Sequence, residues 1–443
     1  MRYQDYRCIN GCNDKKISMV QRWYIECPIC GKLYQIKIQI DQNIGIYEWP
    51  INFECLECGE NLDYTFSKKG LRPKKSDFQP SPSDAPITTI GYSSSLPISD
   101  ELYMKDLDYV QSMALSSPYL NLTYSGGFII EEVHQFDIFL QRMQENLLPY
   151  KGVLLSLLPI FKKGNVDAFS KKMALLFDMK RYKPLTSSKG MYDAYFELIE
   201  KSYQNLITPH YDEHYFKRNV KPLSDYLNCA SSADIKVIKE ILDESGKISA
   251  WYKDEAIPYI AEAMNKIQKL IPAMIYSSVG ESDVAKRGDL KIVTISCDEV
   301  ASMYSKGFET YTHALKIMVG LNNIVENGDI DTFTNPKVGG VDTIDKFARL
   351  SGGKMLEHLE DYTTIYNYLD GTINNKVRNA ASHGEGGMEY VALTQEVKCY
   401  YDDSDRSKHY DTSLIAICRM CYVQLLHIME VTLLARKIVE KAN

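Results

Sequence analysis

Two short stretches, Cys27-Pro28-Ile29-Cys30-Gly31 and Cys55-Leu56-Glu57-Cys58-Gly59, decide how the chain begins, and 24 residues separate them. A Cys-x2-Cys turn followed by glycine lets two thiolates point at one ion while backbone amides turn toward the sulfurs. Two such turns complete a tetrahedral four-thiolate site, for which zinc is the common occupant. Four protein sulfurs leave no open coordination position, so the metal holds a fold and does no chemistry. A redox dithiol normally sits in a βαβ context, which the flanking sequence lacks; iron would satisfy the same sulfurs. Beside the first pair, Tyr34-Gln-Ile-Lys-Ile-Gln-Ile40 is apolar at every second residue, the period of a strand. The residues between the pairs are expected to form a hairpin that brings the turns together. Cys8 and Cys12 form a looser Cys-x3-Cys pair with no glycine after it. They are candidates to complete a second site, to replace one knuckle, or to stay free.

Residues 22 to 62 resemble the zinc-ribbon family, whose knuckles are turns of this CPxCG form. The resemblance implies a structural zinc on Cys27, Cys30, Cys55 and Cys58, and a module that binds protein or nucleic acid. The ribbon is assigned to residues 1–65. Residues 66–100 hold five of the chain's sixteen prolines, many serines and the basic run Lys68, Lys69, Arg72, Lys74, Lys75, which predicts an extended, exposed linker. That run either touches phosphates or is simply solvated.

Over the whole chain, 443 residues with 45% hydrophobic and 25% charged side chains exclude wholesale disorder and a single small module. A net charge of −7 argues against coating nucleic acid by bulk electrostatics. The charge is uneven: residues 1 to 75 carry 12 basic and 9 acidic residues, a balance of +3 that leaves −10 for the rest. The N-terminus lacks the layout of a signal peptide, and the apolar C-terminal stretch is interrupted by Arg419, His427 and Glu430. The expectation is a cytoplasmic protein with no membrane partner, in which thiols are reduced and paired cysteines serve metals.

Beyond Glu101 apolar residues recur at three and four. This predicts helices near 130–162, 166–180, 190–207, 233–244, 252–276, 299–326, 343–369 and 412–441. The fold class is therefore mainly α with a small N-terminal β module. Leu290–Ile295 reads as a short strand and divides a helical middle domain, 101–290, from a C-terminal helical domain, 291–443.

In the last domain, Asn375-Lys-Val-Arg378-Asn379-Ala-Ala-Ser-His383-Gly-Glu-Gly-Gly387 ends a helix at its glycines. Asn379 and His383 lie four apart on one helical face, while Arg378 is about 140° round from His383. An arginine beside an imidazole suits phosphate chemistry, because guanidinium neutralises phosphate oxygens and histidine moves a proton near neutral pH.

The segment 291–443 resembles the HEPN (higher eukaryotes and prokaryotes nucleotide-binding) superfamily, marked by Arg, a polar residue, and His four to six positions after the Arg, set within an all-α bundle. The resemblance implies a metal-independent endoribonuclease of a bacterial toxin or antiphage defence system. By the same resemblance it is expected to cleave RNA as a homodimer whose two motifs face one cleft. It also implies roles: His383 as general acid or base, Arg378 on the developing phosphorane charge, and Asn379 orienting substrate or His383. The polar stretch Met388 to Asp411 departs from the family pattern and is read as an insertion.

Competing readings stand beside this one. The structural alternative for the C-terminal motif is Arg378 paired with a nearby carboxylate and His383 capping a helix end. His210-Tyr-Asp-Glu213-His214 resembles the inverted motif of zinc proteases, although no third ligand or sheet domain accompanies it. Cys418 and Cys421 fall inside the last helix, where burial explains them better than metal. The alternative for the whole chain is a non-enzymatic nucleic-acid or nucleotide-binding regulator that uses the ribbon, with the helical bundle serving dimerisation.

Overall fold

The computed structural model describes residues 19–40, 48–67, 70–73, 87–100, 102–107, 122–123, 127–177, 184–208, 211–246, 248–278, 290–333, 340–359, 373–383, 386–402 and 404–442. Cys8, Cys12 and His210 lie outside them. The chain is mainly helical, with small sheets near the N-terminus that carry the four paired cysteines. It divides into two compact units, one of Met1–Leu148, Gln268–Ser302 and Asn379–Arg419, the other of Pro149–Ile267, Met303–Arg378 and Met420–Asn443.

Among the described residues the first unit holds three sheets. Strands β1 (Met19–Glu26) and β2 (Leu33–Ile40) form an antiparallel hairpin. β2 also pairs in parallel with β6 (Ile87–Tyr92), which pairs antiparallel with β7 (Lys105–Leu107). A second sheet is the meander β3 (Trp49–Glu54), β4 (Asn61–Ser67) and β5 (Gly70–Pro73). Strands β2 and β3, which lie between the knuckles, belong to different sheets, and each knuckle is the turn of its own hairpin. Alternation gave β2 correctly, yet both of its faces are buried, Tyr34, Ile36 and Ile38 on one and Gln35 and Lys37 on the other. The Gln35 amide nitrogen donates to the hydroxyl of Tyr24, its cross-strand neighbour, at 2.8 Å.

Part of the expected exposed linker is interior. Thr89 and Ile90 of β6 are fully buried, and Ser93 to Ser95 and Ser99 are buried with them. Serine and proline mark a break in regular structure but do not decide burial, and here two strand partners, β2 and β7, satisfy the backbone of β6. Leu290–Ile295 forms no regular strand; Lys291 makes a single antiparallel bridge with Ile98. Its neighbour Ile292 is clamped by one side chain, since Gln395 Oε1 accepts from the Ile292 amide at 2.8 Å and Gln395 Nε2 donates to its carbonyl at 2.7 Å. The polar stretch read as an insertion is a third sheet, the antiparallel meander β8 (Met388–Val391), β9 (Glu396–Tyr400) and β10 (His409–Ser413), seated on buried Val397 and Cys399.

The helices are α1 (Ile130–Asn146), α2 (Val153–Lys162), α3 (Val166–Leu176), α4 (Ser188–Leu206), α5 (Lys221–Cys229), α6 (Ser232–Gly246), α7 (Ile257–Met274), α8 (Cys297–Thr312), α9 (Leu315–Asn327), α10 (Ile344–Ala348), α11 (Gly352–Leu359), α12 (Asn375–Ser382) and α13 (Leu414–Ala442). π-Helical segments, Asp212–Val220 and Tyr252–Ala256, precede α5 and α7. The helix expected over 130–162 is broken between α1 and α2, where Pro149 sits in a short 3-10 turn and Gly152 caps α2. The one expected over 343–369 divides at Ser351, with two glycines opening α11. Cys418 and Cys421 are fully buried in α13, as expected of core thiols. By length and composition alone α13 is long and apolar enough to cross a membrane, and 89% of its most apolar window is buried inside the protein.

The second unit is built on aromatic side chains with a polar end. Glu430 of α13 is buried and accepts from the hydroxyls of Tyr203 at 2.6 Å and Tyr211 at 3.2 Å. Burial, reinforced by the Glu430 carboxylate, pushes both hydroxyls well above the ordinary tyrosine range, so they remain donors. Lys441 closes the C-terminus of α5 by donating to the carbonyls of Leu227, Asn228 and Ala230 at 2.8, 2.7 and 2.9 Å, which is the cation placement a helix C-terminus favours.

Candidate functional sites

The first candidate is the four-cysteine cluster. Each knuckle has the same backbone. The amide of Cys27 donates to the Lys32 carbonyl and that of Gly31 to the Cys27 carbonyl, at 2.9 and 3.0 Å. The corresponding bonds from Cys55 to Glu60 and from Gly59 to Cys55 are both 2.8 Å. Gly31 and Gly59 take φ of +76° and +73°, a left-handed conformation that explains why glycine follows each second cysteine. The sulfurs of Cys27 and Cys58 are 3.6 Å apart, those of Cys30 and Cys55 are 3.5 Å apart, and all four lie within 4.8 Å of one another. Four sulfurs about 2.3 Å from one zinc would be spaced by about 3.8 Å, so the set fits a tetrahedral ion and is too wide for disulfides, whose sulfurs are about 2 Å apart.

Tyr34 supports the cluster from β2. Its hydroxyl donates to Cys55 Sγ at 3.1 Å and accepts from the Leu56 amide at 2.8 Å. Burial raises the Cys55 thiol, but the bonds from Tyr34 and from the Cys58 and Glu57 amides outweigh it and hold the group at about 7. Cys27 and Cys55 are buried while Cys30 and Cys58 are exposed, so the ligands span the surface of the module. Among the described residues this is the one group of three or more metal-competent side chains. It can bind a metal such as zinc.

The second candidate is helix α12. Asn374 precedes it and caps it, with Oδ1 accepting from the amides of Lys376 at 2.9 Å and Val377 at 3.4 Å. Asn374 is itself fixed by the Tyr304 hydroxyl, which accepts from its amide at 2.7 Å and donates to its carbonyl at 3.1 Å. Arg378, Asn379 and His383 are all half-buried. The division into units falls between Arg378 and Asn379. Arg378 directs Nε and Nη2 at a single oxygen, Oε1 of Glu309 on α8, with the Nε contact at 2.6 Å. His383 lies one residue beyond the helix and its amide still bonds back to the carbonyls of Asn379 and Ala380 at 3.2 and 3.3 Å.

The chain leaves α12 through Gly386, at φ +97°, and Gly387. A side chain at 387 would collide with the Ala380 carbonyl oxygen and meet His383 Cβ at 3.0 Å, so only glycine lets the backbone pass this close to the histidine. Gly387 in turn accepts through its carbonyl from the Tyr400 amide at 2.8 Å, which ties the β8–β10 meander to the end of the motif helix.

Glu309 was not foreseen, because it is 69 positions from Arg378 and no local pattern links them. The meander was legible in principle: buried Val397 and Cys399 alternate with exposed Glu396 and Lys398, ahead of a turn rich in Asp and Ser. For the protease-like motif, His210 is outside the described residues and Glu213 is paired with Lys217. Comparison with family models, curated proteins and solved structures finds no match for this chain.

Proposed function

We propose that the protein is an endoribonuclease of HEPN-like type, acting from α12 within a homodimer and serving a toxin or antiphage role, with the N-terminal zinc-ribbon-like module as its protein- or nucleic-acid-binding arm. The observation that carries this reading is that Arg378, Asn379 and His383 fall on or at the end of one capped short helix, and none of the three is packed into the core. On this reading His383 takes the proton of a ribose 2′-hydroxyl, or returns one to the departing 5′-oxygen. The 2′-oxygen attacks the neighbouring phosphorus, the bond to the 5′-oxygen breaks, and the products are a 2′,3′-cyclic phosphate and a 5′-hydroxyl. Arg378 supplies positive charge to the phosphorane, and Glu309 fixes the plane of its guanidinium. Asn379, one turn before His383, orients the substrate or the imidazole.

The second reading, a non-enzymatic regulator, is favoured by the same ion pair: an arginine already satisfied by a carboxylate can be purely structural. Cleavage of total RNA by wild type and by His383→Ala decides between them. Loss of at least 100-fold in rate with unchanged thermal stability supports the nuclease. Equal rates, or no cleavage by either, support the regulator.

A further inference from the structure

The meander brings a second arginine to the end of α12. Arg406 lies in the loop between β9 and β10 and is exposed, and its Nη2 sits 2.9 Å from where a side chain on Gly386 would begin. Gly386 adjoins Gly387, the residue pressed against His383 Cβ and the Ala380 carbonyl. The guanidinium lies over the ring of Tyr400, 5.4 Å from its centroid, and the Tyr400 amide is the group bonded to the Gly387 carbonyl. One residue therefore both anchors the meander to α12 and provides the platform for Arg406.

The nearby carboxylates hold other hydrogen-bond or ion-pair partners, and Glu389 also feels the Arg406 charge. Glu389 accepts from the Tyr400 hydroxyl at 2.5 Å, and Asp402 pairs with Lys408 at 2.8 Å, with Asp405 3.8 Å from the same ammonium. Arg378, by contrast, has two of its nitrogens committed to Glu309.

We infer that Arg406, held on Tyr400, is a substrate-binding residue that grips a backbone phosphate of single-stranded RNA next to the one processed at His383. The inference rests on the nuclease reading. A guanidinium stacked on an aromatic ring keeps its edge for bidentate phosphate contact, whereas lysine keeps only the charge. Arg406 therefore adds binding energy that is equal in ground and transition states, and its loss raises KM with little change in kcat.

The test uses the full chain and two probes: a cleavable RNA for rates, and an oligonucleotide of the same sequence with 2′-O-methyl riboses for binding by fluorescence anisotropy. Arg406→Ala is expected to weaken binding and raise KM by roughly tenfold, leave kcat within about twofold, and lower the salt slope of binding by about one. Arg406→Lys restores part of the binding. Arg406→Ala with wild-type affinity and salt slope overturns the inference and leaves the nuclease reading intact. A His383→Ala variant that still cleaves, combined with weakened binding by Arg406→Ala, overturns the nuclease reading and keeps Arg406 as an RNA contact. A wild-type chain that does not bind the oligonucleotide overturns both.

Discussion

Replacing Lys37 with methionine should stabilise the protein near neutral pH. Lys37 lies in β2 with 8% of its surface exposed, and Arg22 is its direct cross-strand partner. Burial, and then the Arg22 charge, lower its ammonium from 10.5 to about 8. The unfolded chain keeps the proton up to the ordinary lysine value while the folded chain releases it near pH 8. Between those limits the unfolded state holds more protons, so stability rises with pH through that window and is lowest, for this group, below it. At about 1.4 kcal/mol per pH unit, the charged lysine costs the fold roughly 3 kcal/mol at pH 7, and water reaching the end of the side chain reduces this to about 2. Methionine keeps the unbranched stem and drops the charge. Urea unfolding followed by tryptophan emission, which reports β1 and β3 through Trp23 and Trp49 and the second unit through Trp251, should show Lys37→Met more stable by about 2 kcal/mol at pH 7, with the gain shrinking toward pH 10 as the wild-type amine becomes neutral. A variant less stable than wild type at pH 7, or a gain that does not depend on pH, would refute the reasoning.

Three further outcomes follow from the packing. The purified chain should carry one zinc, and Cys55→Ser should lose it together with the hydrogen-exchange protection of β1 to β4, because a metal-held module draws its folding free energy from the ion; a variant with full zinc content and protection contradicts the cluster's role. Tyr203→Phe removes a donor from buried Glu430 and should cost about 1.5–3 kcal/mol in unfolding free energy, as expected for a hydrogen bond to a buried carboxylate; no measurable loss would show that Glu430 needs no such partner. Gly387→Ala forces the backbone away from Ala380 and His383 and should cost about 1–3 kcal/mol by thermal unfolding, with RNA cleavage falling further than stability alone explains.

The sequence made the local features legible and left the long-range ones hidden. The knuckles could be read because a thiolate pair and a left-handed glycine need particular residues at fixed spacing, and both requirements appear at Gly31 and Gly59. The helical mass was readable from periodicity, apart from breaks such as Pro149, where one residue interrupts an otherwise continuous pattern. Strand β6 was misread as linker because its burial comes from β2 and β7, partners that composition does not name. Asn379 and His383 were read as sharing a face, and their backbones are one hydrogen-bonded turn apart. What holds Arg378, and which side chains gather around the far end of α12, depend on Glu309, Tyr400 and Arg406, each brought in from another element by tertiary packing.

The most direct test of the central claim is the chemistry of RNA ends after incubation with purified wild-type protein, with magnesium chelated and Arg378→Ala/His383→Ala as the control. The account predicts fragments with 2′,3′-cyclic phosphates and 5′-hydroxyls from wild type and intact RNA from the double variant. Intact RNA from both, or the same fragments from both, would contradict it.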